Sequence, residues 1–228
     1  MKLHLFCFAL LTSFLIIGQE YNQFDSDGKR HGEWLKKYEG TDQIRYQGTF
    51  EHGKEVGEFK FYKPTSGDVP TAIKLFTKDK DSVSVTYFSS KGKVISEGKM
   101  IGKQRVGEWK YYHNNSDKLM MVENYKADQL HGVQKTYFDN GQLTEETYYV
   151  DGKREGKRLI YSEEGKLMKQ YTYKNDLLHG PTMYYDTEGE LIIQGSYKKN
   201  KKDGIWKYYK NGKLDKQKLF PQANGGSD

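Results

Sequence analysis

Three histidines occupy the same place in similar phrases of this sequence: His31, His131 and His179 each come directly before a glycine. Imidazole nitrogens are common ligands of zinc and other transition metals, so a recurring histidine raises the question of a metal centre. Such a centre needs several ligand atoms at ~2 Å from one ion. Whether these histidines can meet depends on the elements that carry them.

Other residues raise the question of phosphate binding or catalysis. GKRHG at 28–32 and GKREG at 152–156 are glycine–lysine turns, but neither has the Lys-Ser or Lys-Thr ending of a P-loop. Three glutamates also recur, each directly after a glycine: Glu33, Glu58 and Glu108. No Gly-x-Ser-x-Gly or Cys-His arrangement accompanies them. The lysines are therefore interpreted as solubilising turn residues.

A short phrase recurs along the chain, and its clearest copies are GEWKYY at 107–112 and GIWKYY at 204–209. The glycine that opens the phrase, here called the marker glycine, recurs in steps of 24 or 25 residues, apart from one step of 50. A fixed period of this length indicates a repeat architecture. The midpoint of the long step is Ser82, in the text SVSVTYF, so the sequence predicts eight units. The marker glycines are Gly32, Gly57, Gly107, Gly132, Gly156, Gly180 and Gly204.

Aromatic residues repeat in step with the marker glycine. The fifth residue after the marker is tyrosine in all units but the first: Lys37, Tyr62, Tyr87, Tyr112, Tyr137, Tyr161, Tyr185 and Tyr209. The second residue after it is aromatic in four units: Trp34, Phe59, Trp109 and Trp206. The seventh residue before it is large and apolar or aromatic: Phe50, Leu75, Met100, Tyr125, Tyr149, Tyr173 and Tyr197.

Each unit contains two strand-like runs and two glycine turns, which is the pattern of a β-hairpin. Runs rich in Tyr, Trp, Phe and Thr suit a pleated sheet. Turns such as DNGQL at 139–143 contain Asn-Gly or Asp-Gly, which favour hairpins because both turn residues adopt positive φ. We predict an all-β fold: an elongated single-sheet antiparallel meander of about eight β-hairpin repeats. Pro64 and Pro70 predict a bend before the irregular unit at Ser82.

This architecture separates the residues that raised chemical questions. Residues in the same column of neighbouring units lie two strands apart, about 10 Å, so His131 and His179 lie about 20 Å apart. They cannot share an ion, and the recurring glutamates are equally dispersed. A single-layer sheet also offers no water-excluding pocket. We therefore expect no catalytic residues, no cofactor, no metal and no enzymatic activity.

Residues 1–18 form a separate segment. Lys2 precedes thirteen almost wholly apolar residues, Leu5 to Ile17, and Gly18 precedes a polar run. This layout is typical of a secretory signal peptide and is short for a membrane span, although an uncleaved anchor is an alternative. We predict cleavage after Gly18, a repeat domain at 19–220, a flexible tail at 221–228, and a secreted or periplasmic location. Cys7 is the only cysteine, so the mature chain has no disulfide.

The repeated text resembles the MORN repeat family. The matching phrases are GKRHGEWLKKY, GKEVGEFKFY, GKQRVGEWKYY, DGKREGKRLIY and KKDGIWKYYKNGKL, within residues 28–220. The bacterial variant, whose members are often labelled YwqK-family antitoxins, is the more similar type. Gln134, Arg158 and Thr182 depart from it by replacing the second-position aromatic. The resemblance implies an open, twisted sheet and no particular reaction. WKYYKNGKL also resembles choline- and glucan-binding repeats, but their period is nearer twenty residues.

The aromatic columns have two interpretations. The tyrosine column is interpreted as packing within the sheet, because cross-strand aromatic pairs stabilise it by roughly 0.2–1 kcal/mol each. Alternation places the second and fourth positions on the face opposite the fifth. We therefore predict that a partner contacts the face of the second and fourth positions. The candidate contact residues are Trp34, Phe59, Trp109, Tyr111, Trp206 and Tyr208.

Three function classes remain for such a surface. The first is an exported scaffold that binds a protein through an aromatic and lysine-rich sheet surface. The second is an antitoxin or immunity protein, as the family label implies, and the third is a binder of glycans or of the cell-envelope surface. The formal net charge is only +6 without a dense basic patch, which argues against nucleic acid as a partner.

Overall fold

The computed structural model describes residues 20–78 and 80–221. In that part of the chain there is no helix, and the strands form one open antiparallel sheet that follows chain order as a meander. The predicted fold class is therefore confirmed. The predicted leader, residues 1–18, lies outside the described residues, as does the predicted tail except for Pro221.

Nineteen strands make up the described sheet. They are β1 Gln23–Phe24, β2 Arg30–Lys37, β3 Ile44–Glu51, β4 Lys54–Phe61, β5 Ala72–Phe76, β6 Ser82–Phe88, β7 Val94–Ile101, β8 Gln104–Tyr112, β9 Leu119–Lys126, β10 Gln129–Leu130, β11 Gly132–Tyr137, β12 Leu143–Val150, β13 Lys153–Tyr161, β14 Leu167–Lys174, β15 Leu177–Leu178, β16 Gly180–Tyr185, β17 Leu191–Lys198, β18 Lys201–Lys210 and β19 Lys213–Phe220.

Eight hairpins contain sixteen strands, so three of the nineteen need a separate explanation. Strand β1 precedes the first unit and pairs with β2. In the fifth and seventh units the first strand is interrupted at His131 and at His179, so β10 and β11 both pair with β9, and β15 and β16 both pair with β14. At the first break the Asn124 side chain donates a hydrogen bond to the Val133 carbonyl at 2.7 Å. A side chain thus replaces a backbone donor there.

A β-bulge occurs at the same place in seven of the eight units, directly before the fifth-position residue. In the fourth unit Tyr111 lies opposite Met121, whereas Tyr112 lies opposite Leu119, so the partner strand carries one extra residue. The Tyr112 hydroxyl donates to the Glu97 carboxylate at 2.6 Å. Burial, together with this bond, raises the pKa of Tyr112 to about 12.

The third unit begins one residue later than the sequence analysis placed it. Its bulge lies between Tyr87 and Phe88, so Phe88 rather than Tyr87 occupies the fifth position, and Val83 rather than Ser82 occupies the marker position. The ring of Tyr87 stacks on that of Trp109 at 6.3 Å, which is the behaviour of a fourth-position residue. Halving the 50-residue step placed the marker wrongly, because its two parts are 26 and 24 residues.

The same shift corrects the residue seven places before the third marker. Phe76, not Leu75, lies opposite the marker Gly57. Phe76 packs edge-on against Phe59 with ring centroids 5.3 Å apart, whereas Leu75 is exposed. The ten residues between β4 and β5 contain both prolines, yet β5 still pairs with β4 and β6. The sheet is therefore continuous through the irregular unit.

All seven marker glycines adopt positive φ, from 65° to 108°. This left-handed region is costly for a residue with a Cβ atom, which explains why glycine recurs there. Each marker glycine lies opposite an aromatic residue of the next strand, as Gly107 lies opposite Tyr125 and Gly204 opposite Phe220. The turn residue Gly152 also has the predicted positive φ, 81°.

The core of this single layer consists of aromatic rings that lie on glycine backbone. Phe59, Trp109 and Trp206 are 1%, 3% and 1% exposed, although no second layer covers the described sheet. Each ring covers a glycine of the neighbouring strand: a Cβ atom at Gly98 would lie 2.3 Å from Trp109, and one at Gly195 would lie 2.3 Å from Trp206. Gly48 has the same relation to Phe59. The sheet therefore buries large rings against its own backbone.

Cationic side chains lie over many of these rings. In four units the second residue before the marker is basic, and its charge lies 3.9–5.1 Å from an aromatic ring centroid, within the range of a cation–π interaction. The alkyl parts of such side chains also cover apolar surface. These residues are Arg30, Arg105, Arg154 and Lys202, over rings that include Trp34, Tyr125, Tyr173 and Trp206.

We predict that Gly195→Ala destabilises the protein by about 1–3 kcal/mol, because the new methyl group overlaps the Trp206 ring and forces it off the strand. Equilibrium unfolding in urea measures the change. The matched background is Trp206→Val, in which the ring is absent and the same glycine substitution should cost much less. An equal cost in both backgrounds would show that the ring does not depend on the glycine.

We also predict that removal of one complete unit is tolerated. Strands contact mainly their neighbours in the meander, so stability should be nearly local, as in other repeat proteins. Deleting Gly132–Glu155 joins His131 to the next marker glycine and should leave a folded, shorter sheet with a lower melting temperature. Deleting only Gly132–Leu143 removes one strand of a hairpin and reverses the direction in which the rest of the chain runs. This deletion should prevent cooperative melting. Identical melting of the two deletions would contradict the repeat assignment.

Candidate functional site

The two faces of the sheet differ in chemistry. The first and third positions after the marker form ion pairs within a strand, such as Lys60 with Glu58 at 3.2 Å and Lys110 with Glu108 at 3.7 Å. The second and fourth positions lie on the other face, here called the aromatic face. Because adjacent residues of a strand point to opposite sides, this division is a direct result of the alternating sequence.

Four of the six candidate contact residues are not exposed, contrary to the sequence analysis. Trp34, Phe59, Trp109 and Trp206 are buried, the first at 9% exposure and the others at 3% or less. The indole N–H groups of Trp109 and Trp206 also donate to backbone carbonyls, Lys99 at 3.0 Å and Ser196 at 3.1 Å. These rings are packing residues of the sheet and offer little surface to a partner.

The other two candidates, Tyr111 and Tyr208, are half-buried on the aromatic face. Arg105 donates to the Tyr111 hydroxyl at 3.3 Å, and the Lys216 ammonium lies 5.4 Å from the Tyr208 ring centroid. Burial is the main cause that raises the pKa of Tyr111, so its hydroxyl stays protonated at neutral pH. These two side chains remain candidates for contact.

The six residues do not form one patch. Phe50 joins Trp34 and Phe59 in a first cluster, with ring centroids 5.6 and 5.2 Å away. Trp109 and Tyr111 belong to a second cluster around Val85. Trp206 and Tyr208 lie near the C-terminal edge, on β18. The second cluster and the C-terminal aromatics are separated by the fifth, sixth and seventh units.

Those three units form a polar section of the aromatic face. Their second-position residues are Gln134, Arg158 and Thr182, in place of an aromatic ring. The Gln134 amide donates to the buried Glu123 carboxylate at 2.7 Å. The Tyr149 hydroxyl donates to the Gln134 carbonyl oxygen at 3.4 Å. Hydrogen bonds thus replace ring packing in this part of the sheet.

An ion pair lies at the centre of the polar section. Arg158 donates two hydrogen bonds to Glu145, at 2.9 and 2.7 Å, and the Thr147 hydroxyl donates a third at 2.8 Å. Burial alone would raise the pKa of Glu145, but the bonds from Arg158 and Thr147 lower it overall. The glutamate is therefore ionised at neutral pH, and the fork geometry of arginine holds both groups in place.

A row of tyrosines continues the polar section toward β18. The rings of Tyr171 and Tyr184 are 5.7 Å apart, and Tyr197 meets the Trp206 ring edge-on at 5.1 Å. Burial raises the pKa of Tyr171 to about 12 and also raises that of Tyr197, with hydrogen bonding to Tyr184 contributing to both. Their hydroxyls are therefore neutral groups that can donate or accept hydrogen bonds.

Several grooves among the described residues are shallow and open to solvent. One of about 360 Å³ lies on the aromatic face beside Arg45, Tyr46 and Phe61. Another groove, of about 720 Å³, lies at the edge between the β3–β4 turn and the β5–β6 connection, near His52 and Lys78. Open grooves on a flat sheet favour contact with another macromolecule over enclosure of a small substrate.

Two features of the sequence could have predicted this arrangement. Three glycines each precede a second-position ring by eleven residues: Gly48, Gly98 and Gly195. They lie inside strand-like runs and not in turns. Glycine inside a strand commonly marks a close approach of another group. The polar residues Gln134 and Arg158 were noted only as departures from the repeat, although a polar residue in a core column implies a polar partner.

Comparison with known proteins supports the repeat assignment. Three consecutive segments, residues 130–151, 154–175 and 178–199, match the family model described as MORN repeat variant. These segments coincide with the fifth, sixth and seventh units, which contain the polar section. No curated protein matches the sequence. The described residues contain no helix with the length and apolar character needed to span a membrane. Residues 130–199 therefore comprise three consecutive MORN variant repeats.

Proposed function

We propose that this chain is an exported, non-catalytic scaffold that binds a protein partner through its aromatic face. Repeats of this family suggest a scaffold, often one that binds proteins or membranes. The observation that carries the proposal is the polar section, where three adjacent units hold half-buried tyrosine, arginine and carboxylate groups instead of burying a ring. Tyrosine and arginine are enriched among the residues that dominate protein–protein binding energies.

The geometry of the polar section favours a protein as the partner. Arg158 and Glu145 are held by mutual hydrogen bonds, so they lose little side-chain freedom when a partner arrives. The flanking tyrosines present rigid rings with neutral hydroxyls, which adapt to donors and acceptors alike. The buried aromatic clusters on either side keep the surface in place and contribute few contacts themselves.

Export is the second part of the proposal, and it rests on the sequence of residues 1–18. The positive start, the apolar stretch and Gly18 have the layout of a secretory signal peptide, which supports an extracytoplasmic location for the repeat domain. A chain without disulfides then depends on its sheet alone for stability. The aromatic packing and the cation–π contacts described above supply that stability without covalent cross-links.

We predict that Tyr184→Ala weakens capture of the partner at least tenfold when the protein is used as bait with the envelope fraction of its host. Tenfold corresponds to about 1.4 kcal/mol, an ordinary loss for a central interface tyrosine. The matched control is Tyr148→Ala, which removes a more exposed tyrosine from the charged face. Quantitative mass spectrometry of the captured proteins measures both, and circular dichroism confirms folding. Loss with Tyr148→Ala alone would place the binding surface on the other face.

We also predict that the protein isolated from its host begins near Gln19. Intact-mass measurement and N-terminal peptide mapping determine the start. Leu10→Arg, which interrupts the apolar stretch, should retain Met1 or Lys2 and leave the protein in the cytoplasm. Finding an intact start on soluble cytoplasmic wild-type protein would contradict export, while leaving the binding surface unaffected.

A further inference from the structure

Three potential metal ligands meet at the N-terminal end of the sheet. Asp25, His31 and His52 each place one ligand atom so that all three atoms lie within 4.8 Å of one another. Within residues 20–78 and 80–221, this is the single group of three or more such side chains close enough to share an ion. It lies in the first hairpin and the connection that precedes it, away from the polar section.

Two tight turns bring these residues together. Asp25 lies in the β1–β2 connection, His31 lies in β2, and His52 lies in the β3–β4 turn with φ 48°. The Gly53 amide donates to the Arg30 carbonyl at 2.8 Å, which ties the β3–β4 turn to β2. Backbone hydrogen bonds therefore help to hold the two turns next to each other.

The carboxylate is oriented before any ion binds. One oxygen of Asp25 accepts hydrogen bonds from the backbone amides of Asp27 and Lys29, at 3.0 and 2.9 Å. Its other oxygen lies 2.8 Å from Nδ1 of His52. The Asp25 side chain is only 9% exposed, whereas that of His52 is 67% exposed. Hydrogen bonds that fix a ligating carboxylate are a usual feature of protein metal sites.

The two imidazoles can close on an ion by small side-chain rotations. The rings of His31 and His52 have centroids 5.0 Å apart and are tilted by 48°. Both residues are exposed, so no packing opposes the movement. Two imidazole nitrogens and one carboxylate oxygen are the ligand types of zinc and similar divalent transition ions, which bind them at about 2.0–2.2 Å.

We propose that Asp25, His31 and His52 bind a divalent transition-metal ion of the zinc type, with further coordination positions open to solvent. If the ion binds at Nδ1 of His52, the neutral imidazole carries its one proton on Nε2, and the ion replaces the contact between Nδ1 and Asp25. The bound ion fastens the β1–β2 connection to the first hairpin. This revises the sequence-based expectation of no metal, which compared histidines of distant units and did not consider His52.

Other units provide natural comparisons. His131 occupies the same column as His31 and lies 3.2 Å from Asp151, which occupies the column of His52. His113 similarly lies 3.0 Å from Asp139. Each of these histidines meets one carboxylate but belongs to no group of three ligands in the described chain. They therefore test whether binding needs the complete group or only a histidine–aspartate pair.

The experiment is calorimetric titration of the untagged protein, purified as its host processes it, with ZnCl₂ alone. We expect one site per chain and a rise in melting temperature when zinc is present. His31→Asn should weaken binding at least tenfold, and so should His52→Asn, in which asparagine tolerates the positive φ of that turn. The matched control, His131→Asn, should bind zinc as the wild type does.

Two results would overturn the proposal. One is the absence of a saturable site in the wild-type protein at zinc concentrations up to 100-fold above the protein. The other is equal weakening by His31→Asn and His131→Asn, which would show adventitious binding by surface histidines. Circular dichroism before and after each substitution separates loss of the ligand from loss of the fold.

Discussion

The contact between an aromatic ring and the glycine beneath it is the constraint on which this sheet depends. A single layer has no opposite layer to bury its apolar side chains, so a ring must be buried by its immediate neighbours. Glycine lets the ring of Trp109 or Trp206 lie flat on the adjacent strand, because no Cβ atom is in the way. Neighbouring rings and overlying cations such as Lys202 cover its other sides.

The same constraint explains where the sheet becomes polar. In the fifth, sixth and seventh units the position beneath the second-position residue is Glu123, Thr147 or Tyr171 instead of glycine. In these units the second-position residue is polar and hydrogen-bonded to its surroundings. Ring packing and hydrogen bonding are thus alternative uses of one column. The proposed contact surface lies in the units that lack ring packing in this column.

Much of the fold could be predicted because the repeat has a nearly fixed period and conspicuous turn glycines. The irregular third unit could not be placed, since its marker is Val83 and only the bulge before Phe88 reveals the register. Burial of the tryptophans was missed because alternation assigns a face but does not show how a ring lies on it. The Asp25–His31–His52 group was missed because His52 lies in a turn, outside the column that was compared.

The bulge that precedes the fifth position has a geometric consequence for any partner. A bulge increases the local right-handed twist of a sheet, and here it recurs in all three units of the polar section. Equivalent positions of these three units are therefore rotated relative to one another. A partner that contacts all three units would have to follow this twist along the sheet. Recognition would then measure pitch as well as chemistry, and a change in unit length would alter it without replacing a contact residue.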